Sequence, residues 1–443
     1  MGKHRTKRRT RNWPELCMEL WTGLMIGLYL LFPGFRGYSA LSPAKTVLFY
    51  VLAGLLLVLG AALLLRDLRQ KRGLAMGPAQ AAALAFWGFT LLSAAFCSTS
   101  GGNPWYDPEA HEAALTVSLY VLLFLIVSRW GKPTERLFRV LFWSLAVFCL
   151  ICLLQMLRGN PLGLYPAGLN YYDGYGVRYK GGYAGTIGNV DLVSAFLTLA
   201  TPMLLLHTRG QKPRQAWPCW LLAAVCVGVM IWIRVLCGLV GLAAGAVICL
   251  AVLCPDRRRK PVLLALCGLG AAGLALLWFV DLPVNLFHEM HEILHGRFEA
   301  GFGTGRGHIW GQMLPRVPER LWLGVGPDMT RYSGLEPFTR YENGVLAARA
   351  TVTDAHCYPL QILYCQGLPA LLSWLAAVGT VLLHWVKNRK EKATALLGGG
   401  LVCFLCAMLF CISSIIVMPF FWLALGLLEA QTRKRPVSIF LAH

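Results

Sequence analysis

The chain has 443 residues, 57% of them hydrophobic and only 14% charged, with a mean hydropathy of +0.57. A soluble domain needs more polar surface than that, so soluble classes are excluded and the chain is assigned to a bilayer. Its formal charge of +20 implies no nucleic-acid partner, because the basic residues are distributed as a membrane topology requires.

Apolar runs long enough to cross about 30 Å of hydrocarbon lie near 16–33, 46–65, 79–97, 113–128, 140–157, 187–206, 217–234, 237–254, 261–280, 357–385, 394–414 and 415–431. The expected fold is therefore all-α: a polytopic bundle of about twelve transmembrane helices. If the N-terminus is inside, the cytoplasmic segments "KHRTKRR" with Arg11, "RDLRQKR", "RWGKPTERLFR", "RGQKPR", "DRRRK", "KNRKEK" and "TRKR" hold 28 of the 41 Lys and Arg residues. The longer opposite loops hold 13. Cytoplasmic loops retain Lys and Arg, so both termini are expected on that side. The N-terminal basic stretch and apolar run have the form of a signal peptide, but no small-residue cleavage site follows, and a retained first helix is expected.

Most of the 15 Cys fall inside apolar runs, where Cys behaves as a small hydrophobe. The outer loops contribute Cys357 and, at the edge of the third run, Cys97, so no disulfide framework is implied. Cys403 and Cys406 form a CxxC with no second pair and no polar surroundings, which reads as helix packing.

The predicted cytoplasmic loops are short basic turns, whereas three outer segments are substantial: 98–112, 158–186 and 281–355. Loops of such length in a compact protein are usually functional or disordered. The last carries aromatic residues, helix-like patches and glycine turns, and it is expected to form an ordered extracytoplasmic subdomain. The chain thus divides into helices 1–9 over 1–280, the loop subdomain over 281–355, and helices 10–12 with a basic tail over 356–443.

Arg234, in "VMIWIRVLCGLVGL", is a charge inside the apolar part of the chain. Such residues normally face a protein interior or an interface. Helices seven and eight are joined by almost nothing, which puts Arg234 at a tight outer turn; the plain alternative is an arginine snorkelling to the interface. Topology brings two further residues to the same side, Arg306 in "GTGRGHIW" and His356 in "TDAHCYPLQILYCQGL". Two guanidinium groups can hold and neutralise a diphosphate bidentately without a metal ion. Histidine is suited to proton transfer near neutral pH, so His356 is the candidate to activate or orient an attacking hydroxyl. The reaction this describes is glycosyl transfer from a lipid-linked diphosphate sugar. Secondary candidates are Asp354, two residues before His356, and Arg178, Lys180 and Tyr183, which precede the sixth helix and otherwise read as interfacial anchors.

Two rival classes are weighed. "HEILH" at His291 to His295 matches the HExxH zinc pattern, with Glu292 as base and His288 nearby, but no third ligand follows at a recognisable spacing. A transporter or flippase of lipid-linked glycan suits the helix count, yet the two halves show no internal repeat.

The order "GTIGNVDLVSAFLTLATPMLLL", an arginine between two closely joined helices, "GRGHIWGQML", "LWLGVGPDM" and "DAHCYPLQILYCQGLPALL" resembles the O-antigen ligase and polymerase superfamily over roughly residues 180–380. The resemblance implies a GT-C-like membrane glycosyltransferase, without metal or other cofactor. It implies a donor glycan carried on undecaprenyl diphosphate, used at the outer face of the bacterial plasma membrane, with a hydroxyl on a glycan or envelope molecule as acceptor. Arg234 and Arg306 correspond to the family's diphosphate-binding arginines and His356 to its histidine. The chain departs from the family at Cys357, where Asn is common after the histidine, at Tyr364, Cys365 and Gln366, where an acidic residue precedes the glycine, and at Asp191, which ends "GNVD" in place of "GNPN". "GVGP" at Gly324 to Pro327 is expected to be a turn that shapes the loop.

Overall fold

The structure is a computed structural model that describes residues 13–34, 41–73, 75–106, 112–157, 162, 185–342 and 345–433. In chain order its helices are α1 (Trp13–Leu24), which continues as a π-helical turn (Met25–Tyr29), α2 (Leu41–Arg69), α3 (Pro78–Ala95), α4 (Ala114–Trp130), α5 (Glu135–Met156), α6 (Val190–His207), α7 (Pro213–Trp232), α8 (Leu236–Leu253) and α9 (Asp256–Phe279). The long segment that follows contains α10 (Asn285–Leu294), α11 (Phe302–Arg316) and an antiparallel pair, β1 (Phe338–Glu342) and β2 (Val345–Ala350). The chain returns through α12 (Tyr358–Gln366), α13 (Leu368–Lys387), α14 (Lys392–Ala407) and α15 (Met418–Thr432). Each predicted span coincides with helix, and eight of these helices are long and apolar enough to cross a membrane, with α4 and α14 as shorter apolar helices. The protein is an all-α polytopic membrane protein.

Two regions differ from expectation in an instructive way. The run at 357–385 is not one helix: it breaks at Gly367, whose φ of 85° only glycine adopts readily. The runs at 394–414 and 415–431 are separated by a connector, 408–417, that is irregular although almost wholly apolar in sequence. Hydropathy cannot distinguish such a segment from helix. Irregular backbone survives at membrane depth only where other protein covers its polar groups, and both breaks meet that condition. Beyond Gly367, the carbonyls of Tyr364 and Cys365 accept from the N–H groups of Val325 (3.0 Å) and Gly326 (2.8 Å), and Leu368 N–H donates to Leu321 (2.7 Å). The "LWLGVGP" stretch therefore closes the broken helix, and a Cβ on Gly324 would lie 2.3 Å from the Cys365 carbonyl carbon.

Helix α6 is the centre of the bundle, 78% of its apolar window being buried, while α9 at 6% is almost entirely lipid-facing. Small residues let α8, α14 and α6 approach closely. A Cβ on Gly245 would meet Cys403 at 2.4 Å, so the CxxC cysteine is a packing residue. The π-helical turn leaves carbonyls unpaired inside the bundle, and Lys45 Nζ donates to Tyr29 (2.5 Å) and Leu30 (3.1 Å) there, joined by Thr186 Oγ1 to Leu30 (2.7 Å). The 281–350 segment, the 98–106 loop, the connector 408–417 and the α7–α8 turn gather at one end, here the loop end; the opposite end is the turn end.

Candidate active site

Arg306 is placed by glycine chemistry. Gly303, Thr304 and Gly305 all adopt left-handed φ (64°, 61° and 91°), so α11 is regular only from Arg306 onward. That reversal turns the arginine back over its own loop, where its guanidinium donates to the carbonyls of Gly303 and, across the molecule, Phe410 in the connector. Its Nε is buried with no hydrogen-bond partner among the described residues. Trp310, one turn further along the helix, donates its indole N–H to Ala355 (2.8 Å) and so fixes α11 against the segment that carries the histidine.

His356 also sits in left-handed backbone, at φ 50°. The conformation is held by Asp354, whose Oδ1 accepts the His356 amide N–H at 2.6 Å while its backbone carbonyl lies 3.2 Å from Nδ1. The segment is neither helix nor strand, and an aspartate-capped turn joins Asp354 to His356. Asp354 Oδ2 faces the N–H (3.5 Å) and hydroxyl (3.3 Å) of Ser413 in the connector. Burial pushes the Asp354 carboxyl above its usual range, opposed by His356 and by these donors.

The second carboxylate is Asp191, in the first turn of α6 behind an Asn189 cap (2.8 Å to Asp191 N–H). It interacts electrostatically with both His356 and Arg306, and Cys411 Sγ reaches its backbone carbonyl at 3.5 Å. A third acid, Glu112, is buried at the entry to α4, bonded to Tyr120 Oη (2.9 Å) and pushed up to about 7 by burial, with Ser413 and Tyr120 opposing. Cys357, where the family commonly has Asn, has its thiol pushed up by burial, which keeps it protonated and unreactive.

Arg234 stands at the α7–α8 turn with φ 56° and an exposed side chain that has no ion pair or side-chain hydrogen bond among the described residues. Its turn leans on α6: Ser194 Oγ lies 3.4 Å from the Val235 carbonyl, one helical turn from Asp191. Arg306, His356, Asp354 and Asp191 thus form one cluster, and Arg234 lies at its edge without touching them. Arg178, Lys180 and Tyr183 lie outside the described residues. Asp191 as a partner of the pair, Glu112 and Ser413 were not foreseen; the available signal was an acid in the first turn of one apolar run and another just before a second, costly places unless the charge is used.

The HEILH segment forms α10, but its groups are engaged elsewhere. His291 Nδ1 meets the Leu277 carbonyl (2.7 Å), His295 stacks on Trp278 (4.7 Å between centroids), and Glu292 pairs with Arg297 (2.7 Å). Among the described residues, no three His, Cys, Asp or Glu side chains group as metal ligands.

The fold is thus an apolar helix bundle whose ionisable groups converge under a folded loop at one end. Comparison with known proteins specifies it further. A sequence model of the family described as O-antigen ligase matches residues 221–375, a span that includes Arg234, Arg306 and His356. An O-antigen ligase of Pseudomonas aeruginosa is 28% identical over 363 residues, covering 80% of this chain and 76% of that protein. Both matches support the O-antigen ligase superfamily, and with it a lipid-linked glycan transferase of a bacterial membrane.

Proposed function

We propose that the protein transfers a glycan from undecaprenyl diphosphate to a hydroxyl acceptor at the outer face of the plasma membrane, in the manner of an O-antigen ligase. The observation that carries this reading is the cluster of Arg306, His356 and Asp191 at the loop end, with the guanidinium of Arg234, unpaired among the described residues, at the neighbouring α7–α8 turn. Arg306 and Arg234 bind the diphosphate and neutralise charge on it as the glycosidic bond breaks, so the leaving group needs no metal ion. His356 takes the proton of the acceptor hydroxyl. The Nδ1 contact to the Asp354 carbonyl (3.2 Å) favours the tautomer that leaves Nε2 free for that role.

Mass spectrometry of lipid-linked and mature envelope glycans from a deletion strain tests the reading. Accumulation of long chains on the lipid carrier is the expected result. Accumulation of a single repeat unit identifies a polymerase of the same superfamily, and unchanged glycans in both pools remove the transferase reading.

A further inference from the structure

Behind His356 runs a row of groups that the transfer chemistry alone does not demand. Glu112 receives Tyr120 Oη on Oε1 at 2.9 Å, and its carboxyl also meets the Ser413 hydroxyl. Ser413 Oγ lies 3.3 Å from Asp354 Oδ2, and Asp354 Oδ1 accepts the His356 amide. Four elements supply this row: the α4 entry, α4 itself, the connector and the α12 entry.

A serine hydroxyl has one proton to give. Two ionised carboxylates sharing it away from water leave one of them without the serine's proton and repel each other; a proton held by one of the pair relieves both problems. Glu112 is the holder, since burial pushes it up to about 7. Asp354 has N–H donors from His356 and Ser413 and the nearby imidazole, all favouring its charge. The direction of donation follows: Glu112 O–H to Ser413 Oγ, Ser413 O–H to Asp354 Oδ2. The remaining charged groups are Asp328, whose carboxylate accepts the Glu112 N–H (2.6 Å), and Asp191 and Arg306 on the far side of the histidine.

We propose that Glu112 is a positioning residue for the transfer: as a neutral acid it orients the Ser413 hydroxyl, which keeps Asp354 ionised and so sets how readily His356 accepts a proton. The inference rests on the role given to His356 above. In the step itself the acceptor O–H gives its proton to Nε2 of His356, the acceptor oxygen bonds to the anomeric carbon, and the sugar–diphosphate bond breaks with its electron pair passing to the diphosphate. Glu112 keeps its proton throughout. Asp354 and Asp191 stabilise the imidazolium that forms.

Two readouts test this on the purified full-length protein. The first is the rate of His356 carbethoxylation by diethyl pyrocarbonate against pH, read by peptide mass spectrometry, which requires no turnover. Ser413→Ala and Glu112→Leu are expected to move the pH profile of His356 carbethoxylation to lower pH, and Glu112→Gln, which keeps a neutral donor, to restore it. The second is transfer from a polyprenyl-diphosphate glycan. Ser413→Ala and Glu112→Leu are expected to lower kcat about tenfold with the donor KM unchanged, again with rescue by Gln. The proposal is overturned if both variants titrate and turn over like the parent, or if Glu112→Gln is as impaired as Glu112→Leu, which makes the charge essential. Ser413→Ala carries the test by itself should Glu112→Leu not fold. If the titration behaves as expected but the parent protein transfers nothing from a lipid-diphosphate donor, the transferase reading fails and the relay stands.

Discussion

The chain buries ionic groups at both ends of its bundle, and the two are assembled on opposite principles. At the turn end Asp67 is 6% exposed and fully subscribed: Arg66 (2.8 Å) and Arg72 (3.7 Å) face Oδ1, while Arg129 (3.3 Å) and Trp130 (3.1 Å) face Oδ2. At the loop end two acids, Asp191 and Asp354, face one histidine with Glu112 behind them, and Arg306 spends its donors on carbonyl oxygens while its Nε has no partner among the described residues. A buried charge matched donor for acceptor holds a structure together. A buried group with surplus capacity is set up for something that arrives later.

Substitutions separate the two ends, beginning with the largest effect. On the proposed reading, Arg306→Ala and His356→Ala each lower transfer on the order of 1000-fold while the protein still inserts and its melting midpoint moves by only a few degrees. In vitro transfer alongside detergent-solubilised melting checks this, and a transfer rate within threefold of the parent removes the residue's assigned role. Next comes pH. Glu112 rises in the folded state from an ordinary 4.5 to about 7, so the folded protein binds the extra proton and is more stable at low pH. That contribution is fully present below pH 4.5 and is lost as pH climbs to 7, a fall of about 3 kcal/mol. Melting curves at pH 5 and pH 7.5 are expected to show the difference, and Glu112→Gln to flatten it. Asp67→Asn, at the other end, removes one charge from a set of charge-assisted bonds and costs about 2 kcal/mol of stability, with transfer per folded molecule unchanged. Smallest is Arg234→Ala, expected to raise the donor KM about tenfold because a more exposed guanidinium contributes less; an unchanged KM places the diphosphate elsewhere.

The spans were readable because twenty apolar residues admit few alternatives in a bilayer. That Arg306 and His356 share one end of the bundle was readable from the alternation of apolar runs and loops. What escaped is where sequence and conformation decouple. The connector 408–417, "MLFCISSIIV", is as greasy as a helix, yet it carries Phe410, Cys411, Ser413 and Ile415, whose backbone or side-chain atoms meet Arg306, Asp191, Asp354 and Tyr29. Only its paired serines hinted at that. The small hairpin of β1 and β2 was also missed within the long loop, because neither "FTRYE" nor "VLAARA" alternates apolar and polar residues. Asp354 holds His356 through a turn, a relation that neither helix nor strand periodicity describes.

The closure of the broken helix at Gly367 bears on any attempt to exchange specificity between relatives. Leu321, Val325 and Gly326 belong to the outer loop by sequence, yet their backbone atoms complete the last turn of α12 and the first of α13. Replacing residues 281–355 with a homologous loop strips hydrogen-bond partners from the membrane interior unless the graft carries the 321–326 stretch together with the 364–368 corner it mates with. Chimaeras are therefore best cut before Asp281 and after Pro369, moving lock and key as one piece.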